Sequence, residues 1–136
     1  MQRCRGARRD RRTRTFGPEH RQTLTCASHL IRSLSQLGED AEAAVLLRTT
    51  LAARTRTLGP DDEHTLTTES LLVRTLLQLG EYAGAEVLGR ETLAKRRRIL
   101  GQDHRHTLVT SANLAVALSR QGKHVGAVEM EREVLH

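Results

Sequence analysis

The sequence predicts an all-α protein, an array of three helical hairpins, and three observations carry that prediction. The stretch Leu58 to Leu66, LGPDDEHTL, has relatives at Phe16 to Leu24 (FGPEHRQTL) and Leu100 to Leu108 (LGQDHRHTL), with starts 42 residues apart each time. A fixed period of that size is the mark of stacked supersecondary units. Glycines divide each unit: Gly17, Gly59 and Gly101 open it, and Gly38, Gly80 and Gly122 fall 21 residues later, at points where helices stop and positive φ is favoured. Between the glycines, apolar residues recur at spacings of 3, 4 and 7, which marks one buried face of a helix and not a strand.

The repeat extends through the whole unit. Residues 16–57 and 58–99 share 23 identities in 42 positions, and 58–94 and 100–136 share 15 in 37, so the units are related along their length and not only in the nonapeptide. This divides the chain into a lead-in at 1–15 and units at 16–57, 58–99 and 100–136, the last with a shortened second helix.

Residues 1–15 hold seven arginines against Asp10. Shifted by one period they would fall on a second helix, but arginine would occupy most of its core positions, which cannot build an apolar stripe. A frayed or disordered lead-in is the expectation. The first helix of each pair is expected at about 20–37, 62–79 and 104–121, with Glu19, Asp61 and Asp103 as N-cap or first-turn acids. Its stripe is Leu24, Leu30, Ile31, Leu34 and Leu37, repeated as Leu66, Leu72, Val73, Leu76 and Leu79. The second helix is expected at about 39–57, 81–99 and 123–136, with Ala43, Ala85 and Ala127 at one phase. Alanine at a helix crossing lets the two axes approach closely. In the third unit Val125, Val128, Val134 and Leu135 still demand cover, and self-association through this uncapped C-terminal helix is the expectation.

Aromatic residues are confined to Phe16 and Tyr82, so the core must be aliphatic. The net charge of +6 would suggest nucleic acid, but the first 15 residues carry all of it and the remaining 121 are balanced. Contact with nucleic acid is therefore expected only through the Arg-rich tail. No apolar run approaches the roughly 18 residues that span a bilayer, and the start lacks the apolar stretch of a secretory signal. A cytoplasmic protein without membrane contact is expected, with a nuclear address as the alternative function of the Lys95 to Arg98 run. That run otherwise complements the negative end of its helix. Cys4 and Cys26 form neither metal spacing nor a disulfide framework, and Cys26 reads as a small side chain in a helix.

His20, His64, His104 and His106 sit in the inter-unit loops. A metal needs three or four ligands converging within about 2 Å, whereas equivalent positions of packed helices lie about 10 Å apart. No metal and no cofactor are expected, and the histidines read as exposed residues near helix starts. No nucleophile elbow, phosphate loop or convergent acid pair is present, so no enzymatic activity is assigned.

The residues Leu58-Gly59-Pro60-Asp61 with Thr65-Leu66, Asn113-Leu114-Ala115, and Gln78, Gly80 and Tyr82 with Ala85-Glu86 give the chain its resemblance to the tetratricopeptide repeat, in the 42-residue form of kinesin light chains. The resemblance covers 16–136. It implies a right-handed superhelical array of antiparallel helix pairs, an α-solenoid that binds protein or peptide on the concave surface lined by the first helices. Carried over position by position, that groove comprises Ser28, His29, Arg32 and Gln36, then Ser70, Arg74 and Gln78, then Asn113 and Arg120. Arg32 and Arg74 stand one period apart on the face opposite the leucine stripe, and guanidinium forks suit carboxylates. An acidic or carboxylate-bearing peptide is the expected ligand. The other possibilities are a piece of a longer array or multidomain signalling protein, and a nucleic-acid-associated protein acting through its basic tail.

Overall fold

A computed structural model describes the backbone of residues 21–135 and the side chains of 26–132, 134 and 135. The Arg-rich lead-in, the turn at Gly17, Glu19, His20 and the side chain of Leu24 lie outside these described residues. Six helices follow one another: α1 (Arg21–Gln36), α2 (Asp40–Leu58), α3 (Glu63–Leu79), α4 (Tyr82–Leu100), α5 (Arg105–Arg120) and α6 (His124–Leu135). There is no strand among the described residues. From the end of α1 to the start of α6, each bound lies within about one residue of its sequence expectation, because Gly and the acid–histidine loops stop and start the helices sharply.

The turn inside each hairpin is the same Schellman motif. The N–H of Glu39 donates to the carbonyl of Leu34 (2.8 Å), that of Glu81 to Leu76 (2.9 Å) and that of Lys123 to Leu118 (2.8 Å). The motif requires a left-handed residue, supplied by Gly38, Gly80 and Gly122 at φ 80°, 81° and 81°. So short a turn folds each second helix back on the first.

The chain divides into two compact units, 1–68 and 69–136, with the division inside α3. In the first, α1 packs on α2. Ile31 and Leu34 of α1 are buried, as are Ala43, Ala44, Leu47 and Ala53 of α2 and Leu66 in the first turn of α3. Leu37, expected in the stripe, is instead 75% exposed. The helix ends at Gln36, so Leu37 is carried by the turn and not by the inward face. Cys26 is half-buried on α1. It is disulfide-bonded, in place of the plain small side chain expected. The only other cysteine of the chain is Cys4, outside the described residues.

In the second unit, α5 packs against both α4 and α6. Leu93 of α4, Leu114 and Leu118 of α5 and Ala127 of α6 form one buried cluster, with Met130 against it. Ala43 and Ala85 are fully buried and Ala127 nearly so, as their phase requires. Gly89 shows how close the approach is. A Cβ there would sit 3.6 Å from Leu114 Cδ1 and 4.0 Å from Val73 Cγ1, so α3, α4 and α5 converge on one helical glycine.

Those distances are ordinary contacts, and a mid-helix glycine costs about 0.5–1 kcal/mol relative to alanine. Gly89→Ala should therefore raise the denaturant midpoint, corresponding to about 0.5–1 kcal/mol, whereas Gly89→Leu should lower it by overpacking at a cost of about 1–3 kcal/mol.

Candidate functional site

The candidate groove residues separate into those used by the fold and those left to solvent, and an arginine at the end of each second helix makes the division. Arg54, in the last turns of α2, donates from one guanidinium nitrogen to Ser28 Oγ of α1 (3.0 Å) and from another to Thr68 Oγ1 of α3 (2.8 Å). Its carbonyl accepts from Thr65 Oγ1 (3.4 Å). One residue thereby ties three successive helices of the first unit. Burial disfavours its charge and pushes its pKa down, a shift opposed by the Asp62 carboxylate.

Arg96, one period later on α4, repeats the tie in the second unit. Its guanidinium donates to Ser70 Oγ of α3 (3.1 Å), and its carbonyl accepts from Thr107 Oγ1 of α5 (3.3 Å). Arg96 is 4% exposed, so a guanidinium is buried here among hydroxyls. Arginine tolerates such a position better than lysine because it is weakly hydrated and spreads its charge over a planar group. Its neighbour Lys95 reaches Glu69 Oε2 (3.0 Å), whose other oxygen accepts from Thr92 (2.8 Å). The basic run at 95–98 thus does more than complement a helix end, and its first two residues are core ties. Sequence reasoning missed this, although Arg54/Arg96, Ser28/Ser70 and Thr65/Thr107 all recur at the 42-residue period.

A second polar knot joins α4 to the turn after α5. Glu86 accepts from Lys123 Nζ (2.8 Å), Gln121 Nε2 (2.9 Å) and Arg90 Nε (3.0 Å). The hydrogen bonds from Lys123, Gln121 and Arg90, in that order, hold its pKa at about 2, below the ordinary 4.5.

The helix starts also differ from expectation. Asp62 caps α3, its Oδ1 accepting from the N–H of His64 (2.8 Å), and His104 caps α5, its Nδ1 accepting from the N–H of His106 (3.1 Å). These are equivalent positions, one residue after Asp61 and Asp103. His104 and His106 stack with ring centroids 5.2 Å apart. Among the described residues no group of three His, Cys, Asp or Glu side chains is close enough to hold a metal.

Of the residues expected in the groove, Ser28 and Ser70 are half-buried and their oxygens are occupied by the two arginine ties. In the first unit His29, Arg32 and Gln36 are exposed on one face of α1, at spacings of 3 and 4. In the second unit Arg74 and Gln78 are exposed one turn apart on α3, while on α5 Asn113 is half-buried and Arg120 exposed, seven residues apart. Neither Arg32 nor Arg74 takes part in a hydrogen bond or ion pair among the described residues.

A family profile described as the tetratricopeptide repeat matches residues 23–64, 65–106 and 107–136, again at a 42-residue spacing. The chain belongs to the tetratricopeptide repeat family. Two solved structures are similar to it: a Podosopora anserina protein described as a kinesin light chain with nearly identical TPR-like repeats (TM-score 0.78) and a single-substitution form of the same protein (TM-score 0.79). Each is 25% identical and matches 90% of this chain. The chain spans 58% of the length of those solved chains. No curated protein sequence matches it. Tetratricopeptide repeats mediate protein–protein interaction, and this chain carries the kinesin light chain-like form of the repeat. No described helix is long and apolar enough to cross a membrane.

The Glu86 knot gives a pH dependence of defined sign. A carboxyl whose folded pKa is depressed contributes stability that is fully present above its ordinary 4.5 and is lost as pH falls towards 2. Glu86→Gln should lower stability near neutrality by about 1 kcal/mol or less, since its cationic partners are half-exposed, and the difference from wild type should shrink between pH 4.5 and pH 2. Urea midpoints measured at several pH values check this.

Proposed function

We propose that the chain is a non-catalytic interaction scaffold that takes a carboxylate-bearing peptide, or an extended acidic segment of a partner, on the exposed face of its first helices. The observation that supports this is the contrast between two pairs of arginines. Arg54 and Arg96 recur one period apart and are consumed by the fold, tied to serine and threonine hydroxyls. Arg32 and Arg74 also recur one period apart, yet they are exposed and engage nothing among the described residues.

Exposed guanidinium groups offer two parallel donors to a carboxylate, and Gln36, Gln78 and Asn113 can each donate to and accept from a peptide backbone. In the third repeat the position of Arg32 and Arg74 is taken by Val116, which is 42% exposed, and Arg120 lies one turn further on. An acidic group of the ligand is the partner expected at each of Arg32, Arg74 and Arg120. The role as part of a longer array is also compatible with the 58% share of the solved relatives.

The test is binding of an Asp/Glu-rich peptide library by the whole chain and by the Arg32→Glu, Arg74→Glu double variant. Loss of about tenfold or more in affinity for the selected peptides, worth about 1.4 kcal/mol, is expected. Unchanged affinity in the double variant would overturn the proposal.

A further inference from the structure

The first two repeats are built alike but differ at one buried spot. Residues 16–57 and 58–99 are identical at 23 of 42 positions, among them Ser28 and Ser70, Arg54 and Arg96, and Thr50 and Thr92. Beside the arginine tie they part. Glu69 of α3 is 5% exposed, and its carboxylate accepts from Lys95 Nζ of α4 (3.0 Å) through one oxygen and from Thr92 Oγ1 (2.8 Å) through the other. One period earlier the acid and the base are Ala27 of α1, half-buried, and Ala53 of α2, buried. The threonine does not change, since Thr50 is as buried as Thr92. Both members of the pair thus change together, from two methyl groups to two opposite charges.

Repeats so alike face a problem of alignment when they fold. Leu30 and Leu72, Leu34 and Leu76, Ala43 and Ala85, and Leu51 and Leu93 occupy the same phases. On apolar packing alone, α4 fits α1 and α2 can take the place of α4 against α3, within one chain or between two. Misassembly and exchange of such elements are characteristic failures of repeat proteins. The mixed hairpins differ from the correct ones in charge. With α4 on α1, Lys95 meets Ala27 and no carboxylate; with α2 on α3, Glu69 meets Ala53 and no ammonium. A buried ion pair contributes little to the right structure, but one partner buried without the other is strongly destabilising.

We infer that the Glu69–Lys95 pair is an alignment key, which matches α3 to α4 and α1 to α2 by leaving an uncompensated buried charge in any hairpin that mixes the two repeats. It involves none of Arg32, Arg74 and Arg120 and stands independently of the peptide surface.

The test is refolding of the whole chain by dilution from urea, with misaligned chains read as a slow kinetic phase and as dimers in sedimentation velocity. Three forms are compared with wild type. Glu69→Ala with Lys95→Ala gives both repeats the alanine pair, and Thr92 keeps its bond to the Leu88 carbonyl (2.9 Å). Ala27→Glu with Ala53→Lys gives both repeats the charged pair. All four substitutions together exchange the pairs between the repeats. The misaligned fraction should rise about tenfold or more in the first two forms, whose repeats match again, and return to the wild-type value in the exchanged form. Pro18 and Pro60 occur in every form, so prolyl isomerisation cancels from the comparison. An alanine form that refolds in one phase to a monomer would overturn the inference, even if less stable, because the pair would then be a plain stabiliser of the α3–α4 hairpin. So would an exchanged form that misaligns as often as the matched ones.

Discussion

A guanidinium group at the end of a second helix reaches back to a serine of the helix before it, while its own backbone carbonyl takes a threonine hydroxyl from the helix after it. Arg54 and Arg96 both do this, one in each compact unit. Around this tie the other packing follows. Alanine or glycine at the crossings, as at Ala85 and Gly89, brings the axes close enough for hydrogen bonds of about 3 Å to span three helices. Leucines at Leu93, Leu114 and Leu118 then fill the space beside it. Burying a charge without partners would cost several kcal/mol, so the hydroxyl set and the arginine are only stable together.

Much of this architecture was legible in the sequence. The 42-residue period, the Gly38, Gly80 and Gly122 turns and the buried alanine phase at Ala43, Ala85 and Ala127 follow from local rules: positive φ needs glycine, and close helix crossings need small residues. What escaped was polar and tertiary. Arg54 and Arg96 look like ordinary helix-end cations until the partner helices are in place. The capping position moves from Asp61 and Asp103 to Asp62 and His104 because the helix starts one turn residue later, and a histidine nitrogen can accept the same N–H as an aspartate oxygen. Periodicity assigns Leu37 to the core, but the helix stops before it.

The candidate site was legible in a different sense. Sequence phase places Arg32 and Arg74 opposite the leucine stripe, the family resemblance adds Gln36 and Gln78, and all four are exposed. It could not separate them from Ser28 and Ser70, which share the same helices but accept hydrogen bonds from the ties. Repetition explains the difficulty: a residue that recurs in phase across repeats can serve the joint or the ligand, and only the contacts distinguish the two.

The arginine tie is the element on which the joint depends, and a double-mutant cycle on Arg96→Met and Ser70→Ala measures it most directly. Equilibrium denaturation of the wild type, the two single variants and the double variant gives the coupling between the guanidinium and the hydroxyl. A coupling of about 1 kcal/mol or more is predicted, as expected for a buried hydrogen bond to a charged group. Single effects that add to within about 0.3 kcal/mol would contradict that dependence, leaving Arg96 as mere filler in an aliphatic joint.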